Sequence, residues 1–153
     1  MAVRTTSHLP VNHQLRPLYR VLAALCGLYV LAFGIGAVAH AGGADGRSAS
    51  SRAETPFFGH DGLPTVLGLR GNRAFALLSI VAGLVLVAAA VVGGTVDRWV
   101  NLVGGVVFLS AGMAMMTLLQ TDLNPLGFTM TTCIVSFAIG LVLFAAGLYG
   151  RTR

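Results

Sequence analysis

Residues 74–94 read AFALLSIVAGLVLVAAAVVGG, and this stretch decides the fold. Ser79 is its only conventional polar side chain. A bilayer core about 30 Å thick takes roughly 20 helical residues to cross. Backbone groups in lipid must pair internally, which favours helices. The stretch therefore predicts a membrane-crossing helix.

Three more runs have the same character. Residues 21–39 carry no charge, residues 102–119 are broken only by Ser110 and Thr117, and residues 133–150 extend backward through Thr132, Thr131 and Thr129. Alternating barrel strands are absent. The expected fold is an all-α membrane protein with four transmembrane helices in a bundle. Composition agrees: of 153 residues, 56% are hydrophobic and only 10% charged, against about 25% charged in ordinary globular proteins. The chain has 20 glycines but no Gly-X-Y period, which excludes collagen. It is too apolar for disorder.

The runs divide the chain into an N-terminal tail (1–17), a membrane domain (18–150) with an external loop at about 41–72, and a C-terminal tail (151–153). Arg16 and Arg20 precede the first run, and Ala39-His40-Ala41 has the small-x-small form of a signal-peptide cleavage site. A long N-terminal region and an apolar run longer than a signal core favour a retained helix. Residues 95–100, with Asp97, Arg98 and Trp99, read as a tight turn, as do residues 121–125. In the long loop, residues 42–53 are small and polar, a mobile composition. Residues 56–64 pair Phe57 with Phe58 among glycines and prolines, as in a compact loop at the membrane interface or on the surface.

The basic residues are ten arginines, with no lysine, against five acids. They stand singly at the ends of apolar runs, so no basic stripe follows a nucleic-acid backbone. Four spans put both termini on one side. That side receives Arg4, Arg16, Arg20, Arg98, Arg151 and Arg153; the other receives Arg47, Arg52, Arg70 and Arg73. The positive-inside rule then predicts a multi-pass membrane protein with both termini cytoplasmic. Cys26 and Cys133 lie within apolar runs without metal-ligand spacing and read as buried packing thiols.

Residues 79–89 and 136–146 are identical at seven of eleven positions, at a constant offset of 57. Gly27, Leu31 and Gly34 of the first run align more faintly with Gly105, Leu109 and Gly112 of the third. Two copies of a helical hairpin explain both matches, related by an axis along the membrane normal. Gly27 and Gly34, Gly105 and Gly112, and Gly140 and Gly147 are each seven apart, as are Gly83 and Ala90. A seven-residue step returns to nearly the same helix face. Small residues there let backbones approach closely in lipid, so these glycines are the packing candidates. Ser79, Asn101 and Ser136 are candidates for polar bonds between helices.

No charged residue interrupts the four apolar cores, whereas pumps and ion-coupled transporters place ionisable groups at membrane depth. His8, His13, His40 and His60 form no pair suited to haem. His60-Asp61 is a weak metal or pH-sensing signal beside a plain solvated loop histidine. No nucleophile or phosphate-loop motif is present. The sequence therefore points to no catalytic or metal-binding residues and to no cofactor.

Asn72, Ser79 and Gly83, then Val100-Asn101 followed by Gly104-Gly105, resemble the domain of unknown function 4383 family, four-span membrane proteins found mainly in actinobacteria. The resemblance covers roughly residues 18–150, and Ser136 and Gly140 echo its first element. In that family histidines often occupy the positions of Ser79 and Ser136, and a polar pair falls near Phe75 and Ala76. A role resting on those groups is absent here. The resemblance implies the fold and no activity.

Two function classes follow. One is a non-enzymatic accessory or scaffold subunit, partnered by the bilayer and by another membrane protein or a second copy of itself. The other is a small-solute or lipid-handling transporter built on the duplicated hairpins. A continuous hydrated or lipid-filled cavity between the hairpins discriminates for the second.

Overall fold

The computed structural model describes residues 16–42, 65–121, 126 and 128–149. Four helices account for most of them: α1 (Arg16–Gly42), α2 (Arg73–Val92), α3 (Gly94–Leu118) and α4 (Met130–Tyr149). Each is long and apolar enough to cross a membrane, and they pack as a bundle, so the chain is a multi-pass membrane protein. Its sidedness pattern inverts that of a soluble bundle. The inward face of α2 is Phe75, Ala76, Ser79, Gly83, Leu86, Ala89 and Ala90, while Leu77, Leu78, Val81, Leu84 and Val85 point outward. Lipid tails are as apolar as leucine, so large aliphatics gain little by turning inward, and close backbone contact drives association instead.

The broad seams are α1–α2 and α3–α4; α1–α4 and α2–α3 meet over narrower contacts. Each broad seam is lined by glycine. A Cβ added at Gly105 would fall 2.5 Å from the Phe144 nitrogen, and one at Gly147 would fall 2.6 Å from the Leu102 nitrogen. Gly112 lies against the Phe137 ring. In the other seam Gly27 abuts Leu86 and Val87, Gly34 abuts Ala76 and Ile80, and Gly83 abuts Leu31. Gly140 abuts Leu109.

These contacts recur at fixed spacings. Gly27 meets Val87 and Gly105 meets Phe144; Gly34 meets Ile80 and Gly112 meets Phe137; Gly83 meets Leu31 and Gly140 meets Leu109. Helices α2 and α4 begin and end 57 residues apart, and α1 and α3 begin 78 apart. The helix ends follow suit. The Arg20 guanidinium donates from Nε to the Ala90 carbonyl at 2.8 Å, and Arg98 Nε donates to the Gly147 carbonyl at 3.2 Å. Both arginines bridge to carbonyls that end a neighbouring helix, where the helix dipole favours a cation. At the opposite end, Asn72 Oδ1 accepts from Phe75 N and Thr129 Oγ1 from Thr132 N, each three residues into the chain ahead. Tyr19 and Tyr149 stack at 5.8 Å, setting the start of α1 beside the end of α4.

The connections differ from the sequence reading. The turn expected at residues 95–100 lies at Gly93–Gly94 instead, and residues 95–100 form the opening turns of α3. Gly93 and Gly94 both have positive φ, 71° and 68°, the conformation that glycine adopts without strain. A membrane helix extends past the hydrocarbon, so Asp97 and Arg98 occupy interfacial helix rather than a loop. The long loop starts later than expected, since α1 continues to Gly42. It ends in an unexpected two-stranded hairpin, β1 (Thr65–Val66) and β2 (Leu69–Arg70). Its turn is Leu67–Gly68, both at positive φ, as the favoured hairpin turn requires. Tyr29 donates to the Leu67 carbonyl at 3.1 Å. The readings of residues 43–53, 56–64 and 122–125 lie outside the described residues.

Candidate functional site

The hairpins α1–α2 and α3–α4 flank an apolar cavity of about 160 Å³ that is partly open to the outside, with the exposed residues Leu78 and Val107 in its lining. All four helices line it. Tyr29, Val30 and Phe33 come from α1, Phe75, Ser79 and Ala82 from α2, Phe108, Ala111 and Met115 from α3, and Thr132, Val135 and Ser136 from α4. Leu69 of β2 is buried and closes the cavity at the strand end. Phe33, Phe75 and Phe128 form a tilted and edge-on aromatic run there, with centroids 5.5 and 5.4 Å apart. The cavity sits where this aromatic cluster meets a second core of Ala23, Val30, Leu86, Ile139, Leu143 and Ala146.

The hydroxyls at its wall are already paired. Ser79 Oγ donates to the Phe75 carbonyl one turn back, at 2.8 Å. Ser136 Oγ donates across the seam to the Phe108 carbonyl of α3, at 2.8 Å. Thr132 Oγ1 is 3.0 Å from Thr129 Oγ1. A water needs two to four polar partners, and an apolar void of about 150 Å³ stays dry and takes an aromatic guest. The wall is thus apolar, and its hydroxyls are already paired within the protein.

Of the polar candidates, Ser79 and Ser136 come together at this wall, one bonded within its helix and one between helices. Asn101 does not join them. It is 2% exposed, and its Nδ2 donates to Asp97 Oδ1 at 2.8 Å on its own helix, nearer the arginine end. Its Oδ1 is buried without a partner among the described residues. The glycines Gly27, Gly34, Gly83, Gly105, Gly112, Gly140 and Gly147 build the two seams beside the cavity rather than the cavity itself. Sequence reasoning missed the cavity-lining aromatics Phe33, Phe75 and Phe108, which read as ordinary membrane residues.

Cys133 is buried and Cys26 half-buried, and neither is bonded. His40 stands in the last turn of α1; His8, His13 and His60 lie outside the described residues. Among the described residues no three of His, Cys, Asp and Glu gather as metal ligands.

The two serines make a testable pair. Ser136→Ala is expected to lower thermal stability in detergent by about 0.6 kcal/mol, the average for a hydrogen bond between membrane helices. Ser79→Ala is expected to change it less, because its bond joins no second helix. Equal losses would show that the α3–α4 bond contributes nothing beyond a local one.

Comparisons with family models, curated proteins and solved structures return no match to the chain.

Proposed function

We propose that the chain is a non-catalytic, lipid-handling protein of a bacterial cytoplasmic membrane that holds an apolar molecule between two copies of one helical hairpin. The carrying observation is the cavity, lined from all four helices with every wall serine paired. The duplication is supported by the fixed spacings of the glycine contacts and of the Arg20 and Arg98 bridges. The resemblance to the domain of unknown function 4383 family, carried by Asn72, Ser79, Gly83, Asn101 and Gly105, is in keeping with this reading. A polar-solute path is disfavoured, because the cavity wall is almost wholly apolar.

Ala111→Phe fills the cavity from α3. The parent, purified in mild detergent, is expected to retain lipid by native mass spectrometry, and the variant to lose it while keeping its helix content. Ala111→Leu should act in the same direction with less overpacking. Retention by both variants at the parent's level would overturn the assignment.

The accessory-subunit reading stands second. It is favoured by Met113, Met116 and Met130, all exposed at the strand end, since methionine adapts to varied binding surfaces. A stoichiometric protein partner in a lipid-free preparation would favour it.

The arginine end carries Arg16, Arg20 and Arg98 against Arg70 and Arg73 at the strand end, a modest excess that supports cytoplasmic termini. Cysteines at Ser50 and Thr152 test this: Ser50→Cys should react with an impermeant reagent from outside intact cells, and Thr152→Cys should not. Labelling of Thr152→Cys from outside reverses the orientation.

A further inference from the structure

A groove of about 390 Å³ runs along the outer side of the α2–α3 seam. Its wall is apolar throughout and includes Val85 from α2 and Trp99, Val103 and Gly104 from α3. Val85, Trp99 and Val103 are exposed, and in a bundle of membrane-crossing helices such exposure means contact with lipid. Gly104 forms part of the floor; a Cβ there would meet only Leu86 and Leu143 side-chain atoms, at 3.4 and 3.7 Å. Ala82, Val107 and Phe108 line both the groove and the central cavity. The two spaces are therefore neighbours across one layer of side chains.

The dimensions and depth of the groove match one leaflet. Trp99 and Phe108 are nine residues apart on α3, about 14 Å of helical rise. Half of a hydrocarbon core about 30 Å thick is about 15 Å. Trp99 follows Asp97 and Arg98 in the opening turns of α3, the level at which tryptophan sits in the interface. Phe108 and Ala82 lie near the middles of their helices. The groove thus spans the leaflet at the arginine end, and the cavity continues from mid-membrane toward the strand end, where Leu69 closes it.

The opposite seam, α1–α4, carries different residues at the matching positions. At the spacing of 57 the position of Ala82 corresponds to Ile139, which is buried in one core cluster with Val30 and Ala23. At the spacing of 78 the position of Gly104 corresponds to Cys26, which packs on the same core. Ile139 and Cys26 thus belong to a core cluster, whereas Ala82 and Gly104 line the groove.

We infer that the α2–α3 groove admits one acyl chain of a membrane lipid from the leaflet at the arginine end, with the chain's tail passing Phe108 into the cavity. This rests on the cavity reading above and adds its route and ligand class. Access is lateral, from the bilayer. The occupant is hydrocarbon because the groove offers no polar partner, faces acyl chains directly and has the length of one leaflet. Phe108 stands with Ala82 and Val107 between groove and cavity.

Trp99 is the chain's single tryptophan, so its fluorescence reports on the groove alone. The test titrates the full chain in detergent with a phosphatidylglycerol bearing bromine on one acyl chain. Quenching is expected to saturate at one lipid per chain and to be stronger with bromine near the headgroup than at the chain end. Val103→Phe occupies the groove from an exposed position and should weaken the saturable phase by about tenfold or more. Val85→Phe tests the opposite wall should Val103→Phe fold poorly. Quenching that rises without saturation, or that survives both variants unchanged, overturns the route. Cross-linking of two copies through Trp99 and Val103 also overturns it, because the occupant is then protein. The two proposals fail separately. If Val103→Phe has no effect while Ala111→Phe expels lipid, the route is wrong and the cavity reading survives. If Val103→Phe abolishes binding while Ala111→Phe leaves it intact, the groove alone holds the chain and the cavity reading falls.

Discussion

Gly140→Leu is expected to destabilise the bundle by about 3 kcal/mol or more, the upper range for overpacking a close-packed core. Even the first added carbon would fall 2.9 Å from the backbone nitrogen of Leu109 and 2.9 Å from its Cγ. A backbone nitrogen cannot rotate away, so α3 and α4 must separate. Separation forfeits dispersion contact along the whole seam, and lipid offers no hydrophobic drive in return. The neighbouring change Leu141→Ala is the control. Leu141 is 64% exposed, and a substitution there is expected to stay within about 0.5 kcal/mol. Thermal melting of both variants in one detergent decides the matter. If Gly140→Leu melts with the parent and Leu141→Ala does not, the glycine face does not hold the helices together.

The second large effect is expected at the α2–α3 link. Gly93 has φ 71° and ψ −163°, a region that is essentially glycine-only and strains other residues by about 1–3 kcal/mol. A Cβ there would also fall 2.8 Å from Arg20 Nη2, which donates to the Ala90 and Val91 carbonyls. Gly93→Val therefore combines backbone strain with displacement of a charged hydrogen-bonding group, whose bonds contribute about 1.5–3 kcal/mol. Gly94→Ala should cost less, since φ is again positive but nothing lies within 4 Å. Melting of Gly93→Val, Arg20→Ala and the double variant separates the two contributions. Coupling between the sites is expected, because they touch. Strictly additive losses would mean that Gly93 acts through its backbone alone.

The four helices were legible because each apolar run is long and uncharged, and the lipid requirement leaves few alternatives. The glycine seams were legible from one spacing, seven residues, that survives in three of the helices. The arginine bridges were not read, although the signal was present: Arg20 and Arg98 each stand seven residues before the first seam glycine, Gly27 and Gly105. The α2–α3 turn was misplaced because polarity at Asp97 and Arg98 outweighed the Gly93-Gly94 pair, whose positive φ values mark the real reversal. Hairpin β1–β2 has strands of two residues, too short to show alternation, and Leu67-Gly68 lacks the Asn-Gly or Asp-Gly signature. The cavity could not be read at all. It depends on how far apart two hairpins stand, and that distance is a balance of side-chain volumes such as Ala82 against Ile139 rather than a property of any one segment.

Glycine seams within each hairpin and thin contacts between hairpins give the molecule an uneven stiffness. Each hairpin behaves as a plate, clamped along its length by backbone against backbone and pinned at one end by an arginine. The compliant direction is the one that tilts the plates about the two-residue glycine link. A thinner or more laterally compressed bilayer would act first on that direction. Mechanical stress in the membrane would then change the volume between the plates before it disturbed either plate, so the bilayer itself could set how much room the interior offers.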